Sequence, residues 1–396
     1  MATASESRAP RLGAVLREGE RVMPLELFFD LVFVLAITQC TSLMADDPSW
    51  RGLGRGLLIL GLLWWSWVSY SWLTSVVDPE EGGVRIALFG AMAAFLIAAI
   101  SVPEAFGDLA TEFALAYGAV RLAQIVLFLI ASRDEPGLRH SVLTLAGSTG
   151  VGITLLVVGS LLDPGPQAAV WGLALALDMG GPYFFGSEGW RLVPEHFAER
   201  HGLIMIIALG ESIVAIGIGA EGILSWDIAL AGTLGIAVVC EMWWLYFDVV
   251  ALVSARRLAR APEGKVRNEL ARDSYSYLHF PMVAGIILFA LGLEKTVGHP
   301  EDPLKLVPEV ALLGGVALYL LALVAFRYRH VRSINRRRLI LALLLVALIP
   351  AARELAAVAL VAIIVILVWT LIVIETRGYG ESRDRVRHGD HAPAAR

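Results

Sequence analysis

Four titratable side chains, His196, Glu199, Arg200 and His201, open the stretch PEHFAERHGLIMIIALGESIVAIGIG at 194–219. A single acid, Glu211, stands in the apolar run after them. Ten residues of helical rise place Glu211 ~15 Å beyond His201, about half the thickness of a hydrocarbon core. A carboxylate at that depth costs at least ~2.5 kcal/mol and is by default a functional site, here for a proton or a cation. Gly210, Gly217 and Gly219 flank it and let another helix or a solute approach the backbone. The bland alternative is a neutral acid hydrogen-bonded to Ser212 or to a neighbouring helix.

Glu26 and Asp30 are four residues apart and share one helix face. Two acids so placed in a dry environment do not both ionise easily, which is how a proton carrier or cation site is made. Against this, Glu26 also suits the positive end of a helix dipole at an interface. Asp178 precedes Gly180, Gly181 and Pro182, so a helix broken there would free backbone groups beside an acid. Arg121 lies deep in an apolar segment and needs a carboxylate, which Asp178, Asp30 or Glu211 could supply. His201 and His279 suit a gate or proton relay near neutral pH. Asp273 joins His196, Glu199 and Arg200 at the same membrane face, and Glu241 and Asp248 are lesser candidates. Two His five residues apart do not point the same way on a helix, so H-x-x-E-R-H does not match the helical zinc-peptidase pattern. No catalytic residue, metal ligand set or cofactor motif is expected. The aromatic residues, Trp64, Trp65, Trp243 and Trp244 among them, read as anchors or packing.

The elements that must carry these groups are membrane helices. Of 396 residues 57% are hydrophobic and 17% charged, and the mean hydropathy is +0.69, outside the range of soluble globular chains. The expected fold is all-α and polytopic, with about twelve spans near 24–44, 53–77, 84–102, 109–131, 141–162, 166–185, 200–221, 225–253, 273–294, 306–326, 338–352 and 354–374. Arginines cluster in the N-terminal tail, at 256–272, at 327–338 and after 377. Twelve spans put all of them on one side, so both termini are expected in the cytoplasm, with anionic lipid head groups as partners of the basic loops. Nothing resembles a nucleic-acid-binding module. Residues 1–20 and 377–396 read as disordered cytoplasmic tails, the former without the apolar core of a signal peptide.

Two halves, 21–185 and 186–376, show signs of a parallel six-plus-six repeat. Phe89–Ala105 aligns without gaps over His279–Lys295, placing Met92 over Met282 and Glu104 over Glu294. In repeat-built transporters the working site lies near mid-membrane between the halves.

Four stretches, PLELFFDLVFVLAITQ from Pro24, HFAERHGLIMIIALGESIVAIG from His196, WWLYFD from Trp243 and RDSYSYLHFPMVAGIILFALGLEKTV from Arg272, give the chain a specific likeness. It resembles the bacterial low-temperature-requirement A (LtrA) family from about Arg21 to Arg377. The resemblance implies an integral membrane protein named after a growth phenotype, without an established biochemical activity. The residues themselves point to a proton- or cation-coupled secondary transporter or channel of the bacterial inner membrane for a small solute or ion. Its pathway would draw on Glu26, Asp30, Arg121, Asp178, His201, Glu211 and His279. The alternatives are a membrane enzyme or lipid-acting protein with an interfacial acid and histidine site, or a structural component with paired charges. The depth and pairing of the acids discriminate among them.

Overall fold

A computed structural model describes residues 21–80, 82–184, 189–190 and 192–388, with side chains to 378. The expected tails at 1–20 and 389–396 lie outside the described residues. In chain order the helices are α1 Pro24–Asp46, α2 Trp50–Val76, α3 Gly82–Ser101, α4 Ala110–Ala131, α5 Pro136–Gly159, α6 Pro164–Phe184 and α7 Pro194–Gly219. They continue as α8 Trp226–Phe247, α9 Val250–Arg260, α10 Lys265–Ala271, α11 His279–Gly298, α12 Leu306–Val331, α13 Arg336–Ala352 and α14 Ala357–His388. Among the described residues the β pairing is confined to an isolated bridge, Pro303 to Ala356. Among the described residues ten helical segments are long and apolar enough to cross a bilayer, and large apolar side chains stand exposed on them, as Ile86, Phe89, Ile97 and Ile100 do on α3. This is a multi-pass helical membrane protein.

Four expectations differ in detail. The sixth and eleventh segments form α6 and α13, which fall outside those ten. α13 has 17 residues, about 26 Å of helix, and α6 combines Asp178 with prolines and glycines. The helix break expected after Asp178 is not there: α6 runs through Pro182 to Phe184. A proline this close to a helix end removes one hydrogen bond without interrupting a long ladder. Segment eight ends at Phe247, and a separate amphipathic helix, α9, succeeds it. Residues 377–388 continue α14 instead of forming a disordered tail, and no proline stands before Pro393 to stop them.

The helices gather into two compact units. The first holds residues up to Ala36 and Gly61–Phe197. Its core is aromatic because α2 spends its WWSWVSYSW run on packing: Trp64, Trp67 and Tyr70 are fully buried. Tyr70 stacks on Phe29 at 4.8 Å, and Trp171 stacks on Phe113 at 5.2 Å. The second unit holds Ile37–Leu60 and residues from Ala198 onward. Its centre is α11, buried at 16 of 20 positions, as expected of a helix apolar all round. In the gapless alignment of 89–105 with 279–295, Met92 and Met282 are both buried. Phe89 is 47% exposed, whereas His279 is fully buried.

Glycines let α11 and α12 approach this closely, as small residues do between membrane helices. A Cβ on Gly285 would meet the Gly315 carbonyl oxygen at 2.7 Å and the Tyr319 amide nitrogen at 2.8 Å. Both are backbone atoms, so neither can swing aside. Gly285→Ala is expected to destabilise the second unit by about 1–3 kcal/mol, read as a lower thermal unfolding midpoint in detergent. An unchanged midpoint would show that the helices separate without cost.

Candidate functional site

α7 starts with Pro194 at its first position, where the missing N–H is harmless, and no later proline interrupts it. Within the second unit α7 and α11 run in the same direction. His201 meets His279 at one end, with ring centroids 5.2 Å apart. At the other end Gly219 lies so near the Glu294 carbonyl oxygen that a Cβ would clash. Between the two, Glu211 is 2% exposed. Its Oε2 accepts a hydrogen bond from the Thr38 hydroxyl at 2.7 Å. Its other oxygen, Oε1, is buried and makes no hydrogen bond among the described residues. Glu294 itself pairs with Lys295 at 3.0 Å. No ion pair among the described residues includes Glu211. It is a buried acid held by the Thr38 hydroxyl and without a counter-charge among the described residues.

The His201 end is an aromatic cluster built on a π turn, Arg272–Tyr277, a feature frequent at functional sites. The Tyr275 ring stacks on His279 at 5.1 Å with only 14° between planes, and His201 meets Tyr275 edge-on at 5.2 Å. His279 Nδ1 lies 3.2 Å from the Ser274 carbonyl oxygen. A carbonyl only accepts, so neutral His279 carries its proton on Nδ1, and Nε2 accepts from the Tyr246 hydroxyl at 2.8 Å. His330 of α12 completes the group, edge-on to Tyr275 at 5.8 Å. Its two ring nitrogens are buried and make no hydrogen bond among the described residues. The rings stack and abut instead of converging on one point, and no set of metal ligands is present among the described residues.

These partners predict opposite responses. Tyr246→Phe strands a buried acceptor and is expected to cost about 1–3 kcal/mol. His330→Phe removes two unsatisfied nitrogens at similar bulk and is expected to leave stability equal or higher. Thermal unfolding of the two variants decides; a destabilised His330→Phe would mean that its nitrogens are satisfied in solution.

The first unit holds the other candidates. Glu26 is 1% exposed and receives His196 Nε2 at 2.9 Å and 3.1 Å on its two oxygens, with the Met23 amide at 2.9 Å. Asp30, fully buried, accepts from Trp67 Nε1 at 2.8 Å. The two acids are thus one helical turn apart on α1, Glu26 accepting from His196 and Asp30 from Trp67. Arg121 takes Asp178 as its carboxylate, Nη2 reaching both oxygens at 2.9 Å and 2.8 Å. Thr149 donates to Asp178 at 2.9 Å, while Arg121 also donates to Gln124 at 2.9 Å and to Ser69.

His196 belongs to the first unit and His201 to the second; Glu199 is exposed and Arg200 buried. Asp273 sits between Arg272 and Arg329, with contacts of 2.7 Å and 3.0 Å. Glu241 is 4% exposed, and its Oε2 makes no hydrogen bond among the described residues. Sequence reasoning missed His330, Tyr246 and Glu309. His330 is hidden in the basic RYRH run, yet it lies 4 and 11 residues past Phe326 and Tyr319, on the buried face of α12. Glu309 is 1% exposed in the first turn of α12, where the helix dipole favours an acid.

A family model described as bacterial low temperature requirement A protein (LtrA) matches residues 21–374. An uncharacterised protein of Rhizobium meliloti is 31% identical over 311 residues, covering 74% of each chain. No solved structure matches.

Proposed function

The chain belongs to the bacterial low temperature requirement A family, and from that premise we propose that this membrane protein moves protons, or another cation coupled to a small solute, through its second unit. One observation carries the reading: Glu211 is buried in mid-helix, hydrogen-bonded to a hydroxyl, and has no counter-charge among the described residues. An acid kept in the membrane for structure alone would gain from a cation beside it, as Asp178 does from Arg121. An acid that must take up and give back a cation cannot keep one permanently. The His201, His279 and His330 cluster supplies exchangeable nitrogens at one end of α7, and Glu294 supplies a carboxylate towards the other. Asp30, Glu26, Arg121 and Asp178 hold the first unit in shape under this reading.

The proposed location is the cytoplasmic membrane with both termini inside. Arg338 bonds the Leu245 carbonyl and Glu375, and Arg329 bonds Asp273. Those contacts gather the arginine-rich ends of α12, α13 and α14 beside the C-terminal end of α8 at one end of the second unit, which supports that orientation under the positive-inside rule. The experiment is potential-driven proton entry into liposomes carrying the purified chain, wild type against Glu211→Gln. Flux that the substitution abolishes supports the reading. Flux indifferent to it removes Glu211 from the pathway. No flux in either rules out an uncoupled proton channel and moves the search to coupled solutes.

A further inference from the structure

At the arginine-rich end of the second unit, α8, α9, α12, α13 and α14 enclose a cavity of about 230 Å³. Its walls are largely apolar, with Trp244, Val250, Val253 and Ile372 among them, while Arg327, Arg338 and Glu375 bring charge to it. The charged groups are not equivalent. Arg338 is spent: Nε and Nη2 hold Glu375 at 3.1 Å and 2.8 Å, and Nη1 donates to the Leu245 carbonyl at 3.1 Å. Asn335 donates to the same carboxylate at 2.7 Å, so Glu375 is neutralised by its own partners. Asp248, the other acid in the lining, is engaged within the protein. Arg327 is different: its Nε is buried and makes no hydrogen bond among the described residues. A buried guanidinium N–H without an acceptor is costly, and its planar fork suits a carboxylate or a phosphate.

A second, independent feature stands at the same place. α9 buries Val250, Ser254 and Leu258, spaced four residues apart, and exposes Arg257 and Arg260. A short helix with one apolar stripe and exposed arginines lies in the head-group layer and draws anionic amphiphiles to it. The cavity, an arginine whose Nε is unbonded and whose charge faces only the already paired Glu375 among the described residues, and the basic amphipathic helix therefore favour the same ligand chemistry.

We propose that this cavity binds the anionic head of an amphiphile, a carboxylate or phosphate joined to an apolar chain, with the anion on Arg327 and the start of the chain between Val250, Val253 and Ile372. The volume is below the ~300 Å³ of a small-molecule pocket, so most of the chain stays in the bilayer. The site is independent of Glu211 and of the transport reading.

Trp244 in the cavity wall gives the test a local signal. Fluorescence quenching in detergent is measured with 9,10-dibromostearate, brominated phosphatidylglycerol and brominated phosphatidylcholine, counting only the quenching lost in Trp244→Phe. Saturable quenching by either anionic probe is expected, weakened about tenfold or more in Arg327→Gln and lost in Val253→Trp, which fills the cavity. Quenching by dibromostearate alone identifies a free carboxylate as the ligand, and by phosphatidylglycerol alone a bilayer phosphate. Equal quenching by phosphatidylcholine, an Arg327→Gln variant that binds like wild type, or no quenching by any probe overturns the proposal. If Arg327→Gln does not fold, Val253→Trp carries the test, since it leaves every charged group in place.

Discussion

Replacing Glu211 with Gln is expected to lower potential-driven proton entry at least tenfold while leaving the fold intact. The fold survives because Gln has the shape of Glu and its amide oxygen still accepts from Thr38, now 2.7 Å from the carboxylate. Flux falls because an amide does not titrate. Along α11 the His279 level and Glu294 are fifteen residues apart, about 22 Å, and Glu211 is the acid that α7 places between them. Without it a proton must cross a dry stretch whose barrier for a charge is at least ~2.5 kcal/mol, and about 1.4 kcal/mol already corresponds to tenfold. Glu294→Gln should reduce flux less, since Glu294 has Lys295 at 3.0 Å as a standing counter-charge. Equal non-zero flux in wild type and Glu211→Gln, with both proteins monodisperse, would remove Glu211 from the pathway and with it the observation that carries the reading.

How much of the molecule is legible in its sequence depends on what each residue's role rests on. Helix positions are readable because a bilayer imposes a length and an apolar content on every span, and α1 to α5 fall close to the expected ranges. The depth of Glu211 comes from counting residues after His201. Its hydrogen bond does not, since that depends on Thr38, far before it in the chain. The same limit hides the choice of partner for Arg121: three acids are available to it, and only packing selects Asp178. His330 and Tyr246 escape because an arginine-rich loop and an aromatic anchor are the ordinary readings of RYRH and WWLYFD. The π turn at Arg272–Tyr277 escapes as well, because nothing local in DSYSYLH distinguishes it from a plain helix start. What brings these rings together is the central position of α11, a property of the unit rather than of any stretch within it.

The Arg121–Asp178 pair predicts the largest stability effect in the molecule. Arg121 is fully buried and Asp178 is 4% exposed, so removing either partner leaves a charge without water or counter-ion. Such a loss costs about 3–5 kcal/mol, and Arg121→Met or Asp178→Leu alone should lower the unfolding midpoint of the protein sharply. The double variant Arg121→Met/Asp178→Leu should recover most of that loss, because it takes away the stranded charge along with the pair. Recovery will be incomplete, since Thr149 and Gln124 lose the partners they now hold at 2.9 Å. The same double variant separates structure from pathway. If the pair only holds the first unit in shape, restored stability restores proton flux. If the protein melts like wild type yet conducts nothing, the pair belongs to the pathway after all, and the division of labour proposed between the two units fails. A single substitution costing under ~1 kcal/mol would show instead that water reaches the pair, which its burial argues against.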